Sequence, residues 1–281
     1  MPKIKRPGWF FVGWLYLLPC TAMASLQDPA QIELTFGVVP QQSISKLAEM
    51  WTPVLQYLSA KTGYVIHFRT AKDIPTFEQR LVALEYDLAY MNPYQYVVSH
   101  RSSGYQVFAK EKDKKLQGII VVRKDSSYHD LAQLQGQTIA FAGPVSFAAT
   151  SLPRFYLQKA GITITPRYVA FHDSVYRSVA KGIYPAGGGV MRTFNALDPE
   201  VRDQLRILWV SKGYTPHAIA AHKRVAPTII ARVQKAMMDM HRDAGGLALL
   251  KAIEFNGITI AHDAEYADIR KLGLAGELIH K

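Results

Sequence analysis

Several residues in this chain have types and spacings that could do chemistry, and each has a plainer reading beside it. Ser43-Ile44-Ser45-Lys46 has the S-x-x-K form of a serine nucleophile with a lysine base, and Lys61-Thr62-Gly63 could complete such a site. One helical pattern joins the two, however. Ile44, Leu47, Trp51, Val54, Leu55 and Leu58 repeat at helical spacing between Ser43 and Gly63. The lysine–threonine–glycine run is then a helix C-terminus with a glycine cap. His-Asp dipeptides start at His129, His172 and His262, but no H-x-x-x-H or H-E-x-x-H spacing accompanies them, so no metal site is expected. His129 and His262 read as solvated helix starts. His172 stands where a strand passes into a helix, the edge from which α/β proteins build sites. No nucleophile–base pair has a supportable spacing, so neither a catalytic residue nor an enzyme activity is expected, and nothing calls for a cofactor.

Binding suits the remaining groups better. Gly187-Gly188-Gly189 could bring backbone close to an anion, or simply pack tightly; it lacks the G-K-[ST] of a phosphate loop. Arg192, just beyond, offers a planar fork of donors to a carboxylate or phosphate-like group, or faces solvent. Tyr90-Met91-Asn92-Pro93-Tyr94-Gln95-Tyr96 puts three tyrosines and an asparagine at a strand end, where parallel sheets bind ligands. In Phe141–Leu157 (FAGPVSFAATSLPRFYL) a strand end, a turn and a helix start follow one another. A helix start offers free N–H groups to an anion, yet Phe147, Ala148 and Ala149 stand where hydroxyls would help.

These groups need elements to hold them. Ile32, Leu34, Phe36 and Val38 alternate as a strand does, and the helix from Ser43 follows, with Pro53 expected to kink or split it. Strand patterns cover 64–69, 87–91, 105–109, 118–123, 138–142, 167–171, 186–190 and 206–210. Helical patterns cover 76–85, 94–100, 130–135, the run up to Ala160, 172–181 and 227–242, with two shorter ones at the end. Alternating strands and helices indicate an α/β fold with mostly parallel sheets. The strand–helix order starts twice, near Ile32 and near Thr138. That predicts two α/β lobes, 28–117 with 212–281 and an inserted 118–211, joined by two hinge strands with a ligand cleft between them.

The first residues read as a secretory signal, residues 1–24. Lys3, Lys5 and Arg6 are basic, Phe10–Leu18 is a short apolar run, and Ala22-Met23-Ala24 is an A-x-A cleavage site. An uncleaved N-terminal anchor is the alternative. A lipid anchor on Cys20 would need a lipobox, and Pro19 beside the cut argues against one. Cys20 is the single cysteine, so a cleaved chain has no disulfide, thiolate site or cysteine nucleophile. Of 33 Lys+Arg and 22 Asp+Glu, cleavage removes three basic residues and leaves 30 against 22, a balance suited to an anionic ligand. The basic residues are scattered and Lys110–Lys115 (KEKDKK) is mixed in sign, so nucleic acid is not an expected partner.

Taken in order, FGVVPQQS (36–43), WTPVLQYLSAKTG (51–63), YDLAYMNPYQYV (86–97), GIIVVRKDS (118–126), DLAQLQGQTIAF (130–141), HDSVYRSVAKG (172–182) and AGGGVMRTF (186–194) resemble the phosphate/phosphite/phosphonate-type substrate-binding proteins of ABC importers. These are a branch of the type II periplasmic binding proteins. The resemblance implies that fold, a periplasmic location, a monomer that closes on a small anionic ligand, and an ABC permease as partner. A membrane sensor protein is the alternative partner for the same closure. Gln41, Tyr90, Asn92 and Tyr94 would face the ligand from one lobe, and Ser146, Phe147, Ala148, His172 and Arg192 from the other. Tyr214 and His217 would line the hinge side.

The departures bear on the ligand. The phosphonate branch typically carries D-P-x-S-T-S-G before its helix. Here Gly143-Pro144-Val145-Ser146-Phe147-Ala148-Ala149 keeps only the proline and the first serine. Each lost hydroxyl removes a charge-assisted bond worth roughly 1.5–3 kcal/mol. Arg192 falls near where amine-binding relatives place a carboxylate. A small organic anion with an apolar or planar body is therefore expected over a tightly held tetrahedral phosphonate.

Overall fold

The computed structural model describes residues 1–3, 8, 31–144 and 146–274, so the apolar run, the A-x-A site, Cys20 and Val145 lie outside the described residues. The chain divides into Met1–Gln31 and Ile32–Lys281, and the second unit carries the fold. It begins β1 (Glu33–Val38), α1 (Ile44–Thr62), β2 (Val65–Arg69), α2 (Ile74–Val82), β3 (Leu88–Met91), α3 (Pro93–Ser103) and β4 (Tyr105–Glu111). It continues with β5 (Gly118–Arg123), β6 (Thr138–Phe141), a π-helical turn (Phe147–Ser151) leading into α4 (Leu152–Lys159), β7 (Thr165–Tyr168) and α5 (His172–Ala180). Then come β8 (Ala186–Val190), α6 (Met191–Asn195), α7 (Pro199–Arg202) and β9 (Leu205–Val210). The remainder is β10 (Ala218–His222), α8 (Pro227–Asp239), α9 (Ala244–Ala252), β11 (Ile258–Ile260) and α10 (Ala267–Arg270).

Two sheets result. One has the order β11-β4-β10-β3-β1-β2 and the other β7-β6-β8-β5-β9. β1 runs parallel to β2 and β3, and β6 parallel to β7 and β8. β10, β11 and β5 pair antiparallel with their neighbours. Every residue of β3, β8 and β10 is buried, which is the mark of strands covered on both faces. The chain passes from the first sheet to the second between Glu111 and Gly118, and returns between Val210 and Ala218. The two passages are tied by a bridge: Leu116 N donates to Tyr214 O at 2.8 Å and Tyr214 N to Leu116 O at 2.9 Å.

Local chemistry explains most elements. Ser43 caps α1 by accepting from Lys46 N, and Gly63 ends it at φ 76°, a conformation open to a residue without Cβ. The buried stripe Leu47, Trp51, Val54, Leu55 and Leu58 packs α1 into the core. That stripe also corrects the expectation at Pro53. The helix runs unbroken past it, because buried residues on either side hold the backbone although the proline donates no hydrogen bond.

Other boundaries moved for conformational reasons. α2 stops at Val82 rather than Glu85, and Leu84 takes φ 59°. β7 ends at Tyr168 rather than Phe171, and Ala170 takes φ 70°. The pattern at 130–135 forms only a 3-10 turn, Ala132–Leu134. The first turn of the segment before Ala160 is π-helical rather than α-helical. The end of the chain contains β10 and β11, which alternation does not announce.

The triple glycine proves to be a packing device. A Cβ on Gly188 would lie 2.1 Å from Ala149 O and 2.5 Å from Phe141 Cδ1, and one on Gly118 would lie 2.2 Å from Ala148 O. Bare strands at β5 and β8 therefore let the π-helical turn sit directly on the second sheet.

Candidate ligand-binding site

Gln41 lies in the loop after β1, Tyr90 at the C-terminal end of β3 and Glu111 at the end of β4. His217 immediately precedes β10. Facing them from the second sheet are Ser146 after β6, His172 at the start of α5, and Arg192 and Thr193 after β8. Parallel strands converge on this edge, so side chains distant in sequence meet there.

Arg192 is the centre of the arrangement. Its side chain is 14% exposed; Nη2 donates to Gln41 Oε1 at 3.1 Å and Nη1 lies 3.6 Å from Glu111 Oε2. The guanidinium also stands over the rings of Tyr90 and Phe255, at 5.7 and 5.6 Å from their centroids. Burial opposes its charge, but Tyr90 and Glu111 outweigh that and hold it above the usual arginine range. Burial pushes Tyr90 up to about 12, so its hydroxyl keeps its proton at neutral pH. Burial also raises the Glu111 carboxyl, against the pull of Arg192 and Lys114. Lys114 Nζ lies 3.2 Å from the other Glu111 oxygen.

The two histidines are buried and neutral. His172 Nε2 meets Ser146 Oγ at 3.2 Å and its Nδ1 meets Thr193 Oγ1 at 3.0 Å. Thr193 is itself fixed by Tyr176 OH at 2.9 Å and by donating to Val190 O. Burial, helped by Arg192, pushes His172 down to about 3. Such an imidazole is a poor base at neutral pH, and its second nitrogen meets a hydroxyl instead of a carboxylate. The Ser146–His172 contact is thus a positioning bond, not an activated nucleophile. His217 stacks on Tyr90 at 4.9 Å and 20°, is held well below the usual histidine range by burial and Arg192, and leaves Nε2 without a partner among the described residues. His172 N also donates to Gln41 O at 3.1 Å, so a loop on the first sheet caps a helix on the second.

Cavities lie on both sides of Arg192. One of about 30 Å³ is lined by Gln41, Trp51, Tyr90, Thr193 and Phe255. The other, of about 200 Å³, lies by the passages between the sheets and is lined by Glu111, Lys114, Lys115, Met191 and His217.

The structure thus brings Gln41, Tyr90, Ser146, His172, Arg192 and His217 together. Phe147 is fully buried and packs edge-on against Tyr214 at 5.7 Å, and Tyr214 OH meets Tyr156 OH at 3.1 Å. Ala148 is buried with its carbonyl against Gly118. Asn92 Oδ1 caps α3 by accepting from Gln95 N at 2.8 Å. Tyr94 lines a separate groove between α2 and α3. Four residues at the site were missed from sequence. Glu111 was hidden in the mixed charge run, Trp51 in the helical stripe and Thr193 beside Arg192. Phe255 carried no signal.

With this geometry in view, residues 36–266 match the family described as the periplasmic substrate-binding protein of phosphonate ABC transporters. The chain belongs to that family. Its members are transport receptors of an importer, not enzymes. The chain is also similar to the phosphate-import protein PhnD of Mycolicibacterium smegmatis, at 23% identity over 223 residues, 72% of this chain and 70% of that protein. The fold is shared with the binding component of a phosphonate transporter from Pseudomonas aeruginosa, at TM-score 0.80 and 18% identity, covering 86% of each chain. PhnD1 of Prochlorococcus marinus in complex with methylphosphonate aligns at TM-score 0.78 and 16% identity, over 86% of this chain and 97% of the other. The architecture is that of the type II periplasmic binding proteins. Among the described residues no helix is long and apolar enough to cross a membrane, and no group of His, Cys, Asp and Glu could hold a metal ion.

Proposed function

We propose that this receptor captures a small organic anion, carboxylate or phosphonate-like, between its two sheets and presents it to an ABC permease. The observation that carries the reading is Arg192: a buried guanidinium that projects from the second sheet onto Tyr90 and Gln41 of the first. Its carboxylate partner stands at 3.6 Å, longer than a tight bidentate pair, so an incoming oxyanion can compete for it. Ser146 Oγ is already engaged with His172, and Phe147 and Ala148 are buried in packing. Few hydroxyls are then left to surround a tetrahedral oxyanion, which favours a ligand held by Arg192 beside His217, both of which line the larger cavity.

On this reading residues 1–24 direct export, and 28–117 with 212–281 form one lobe around an inserted 118–211. Ligand contacts to both lobes shift a hinge at Leu116 and Tyr214 toward closure in a monomeric receptor. The test is a thermal-shift screen of the mature protein with carboxylates, phosphate and alkylphosphonates. At least one organic acid should raise Tm, and Arg192→Ala should abolish that shift in a protein that still folds, with a lowered unliganded Tm because Glu111 loses a buried partner. Much tighter binding of simple phosphate or alkylphosphonates than of any carboxylate would overturn the ligand class. An unchanged shift in Arg192→Ala would remove Arg192 from the site.

A further inference from the structure

Away from the cleft, α2 and α3 enclose a groove of about 520 Å³ lined by Pro75, Glu78, Val82, Tyr94, Gln95 and Val98. Its size is that of a small-molecule site, and its walls are mostly apolar with a few polar groups. Val82 and Val98 are 65% and 42% exposed, so apolar surface is open at its mouth.

Glu78 sets the chemistry. The Asn92 capping box orients its neighbour: Gln95 Oε1 accepts from Asn92 N at 3.0 Å, which leaves Gln95 Nε2 to donate to Glu78 Oε1 at 3.2 Å. Glu78 Oε2 has no partner among the described residues, and no lysine, arginine or histidine there pairs with the carboxylate. Arg80, two residues on, turns instead to Thr70 O and Glu85. The polar groups that line the groove with Glu78 are Gln79, Tyr94, Gln95 and Ser99, of which only Tyr94 titrates, above its ordinary range. A half-buried carboxylate without a counter-charge is unfavourable unless it takes a proton or a cationic partner. Desolvation pushes Glu78 up to about 7.

We propose that the groove between α2 and α3 is a binding site for a small organic cation, with an ammonium paired to Glu78 and an apolar body laid against Val82, Tyr94 and Val98. Tyr94, placed by its sequence motif with the anion site, serves this groove. The proposal is independent of the anion reading of the cleft.

The probe is benzylammonium chloride, titrated calorimetrically into the whole protein at pH 8 and pH 6, with benzyl alcohol as the uncharged counterpart. Saturable binding is expected, about tenfold weaker at pH 6 because Glu78 is then mostly protonated. Glu78→Gln should weaken it at least tenfold at pH 8 and remove the pH dependence. Val98→Trp, which fills the mouth from an exposed position, should also weaken it. The anion-induced Tm shift of the cleft should survive in both variants. The proposal fails if no saturable binding occurs below about 10 mM, if benzyl alcohol binds as well as the amine, or if Glu78→Gln binds like wild type. It fails equally if only a lysine-rich peptide, and not the amine, binds in a Glu78-dependent way.

Discussion

Arg192 and Gln41 are 151 residues apart, yet Arg192 Nη2 donates to Gln41 Oε1 at 3.1 Å. The bond joins the loop after β1 to the helix after β8. Beside it, Gln41 O accepts from His172 N. One glutamine therefore holds two groups of the opposite sheet, with its side chain and its backbone.

Arg192→Lys should separate charge from geometry. A lysine keeps a positive charge near Glu111 but loses the planar fork that meets Gln41 and an oxyanion together. Affinity for the anion found in the screen should fall about tenfold, with little change in the urea midpoint. Calorimetry and urea denaturation measure the two effects. Equal affinity would show that charge alone suffices.

Glu111→Gln should act in the opposite direction. Glu111 competes with any ligand anion for Arg192, so removing its charge should tighten anion binding by about 1–2 kcal/mol, or roughly tenfold. The Glu111 carboxyl is already raised by burial, so the substitution need not cost much stability. Weaker binding in this variant would assign Glu111 a supporting role instead.

Stability should fall on acidification through His172. The folded histidine titrates at about 3, while an unfolded one takes a proton near pH 6.5. Below pH 6.5 the unfolded chain therefore binds more protons, and the contribution present at neutral pH is lost as the pH falls toward 3. The slope is about 1.4 kcal/mol per pH unit for this group, and His217 adds to it in the same direction. His172→Gln should flatten the dependence between pH 6 and 4 in urea denaturation. A variant as pH-sensitive as wild type would contradict the assignment.

Gly188→Ala should destabilise the protein by about 3 kcal/mol or more, because the added methyl meets the backbone carbonyl of Ala149 at 2.1 Å as well as the Phe141 ring. The π-helical turn would have to lift from β8, moving Ser146 away from His172. A lowered Tm together with weaker anion binding is expected. A fully stable Gly188→Ala protein would show that the turn can shift without cost.

The sequence by itself determined the local elements and their order. The alternation of Leu34, Phe36 and Val38, the stripe along α1 with its serine and glycine caps, and the restart near Thr138 each follow from periodicity within a few residues. The motif order also located Arg192, His172 and Tyr90 at strand ends. Tertiary structure alone decided the rest. β10 reads as a featureless small-residue run because it is buried on both faces, so it has no alternation to display. That Ser146 spends its hydroxyl on His172, that Glu111 emerges from a charge run to face Arg192, and that Tyr94 lines a groove with Glu78 depend on which elements become neighbours. Those contacts join segments far apart in the chain, and no local pattern encodes the partner of a side chain whose neighbour is brought to it by topology.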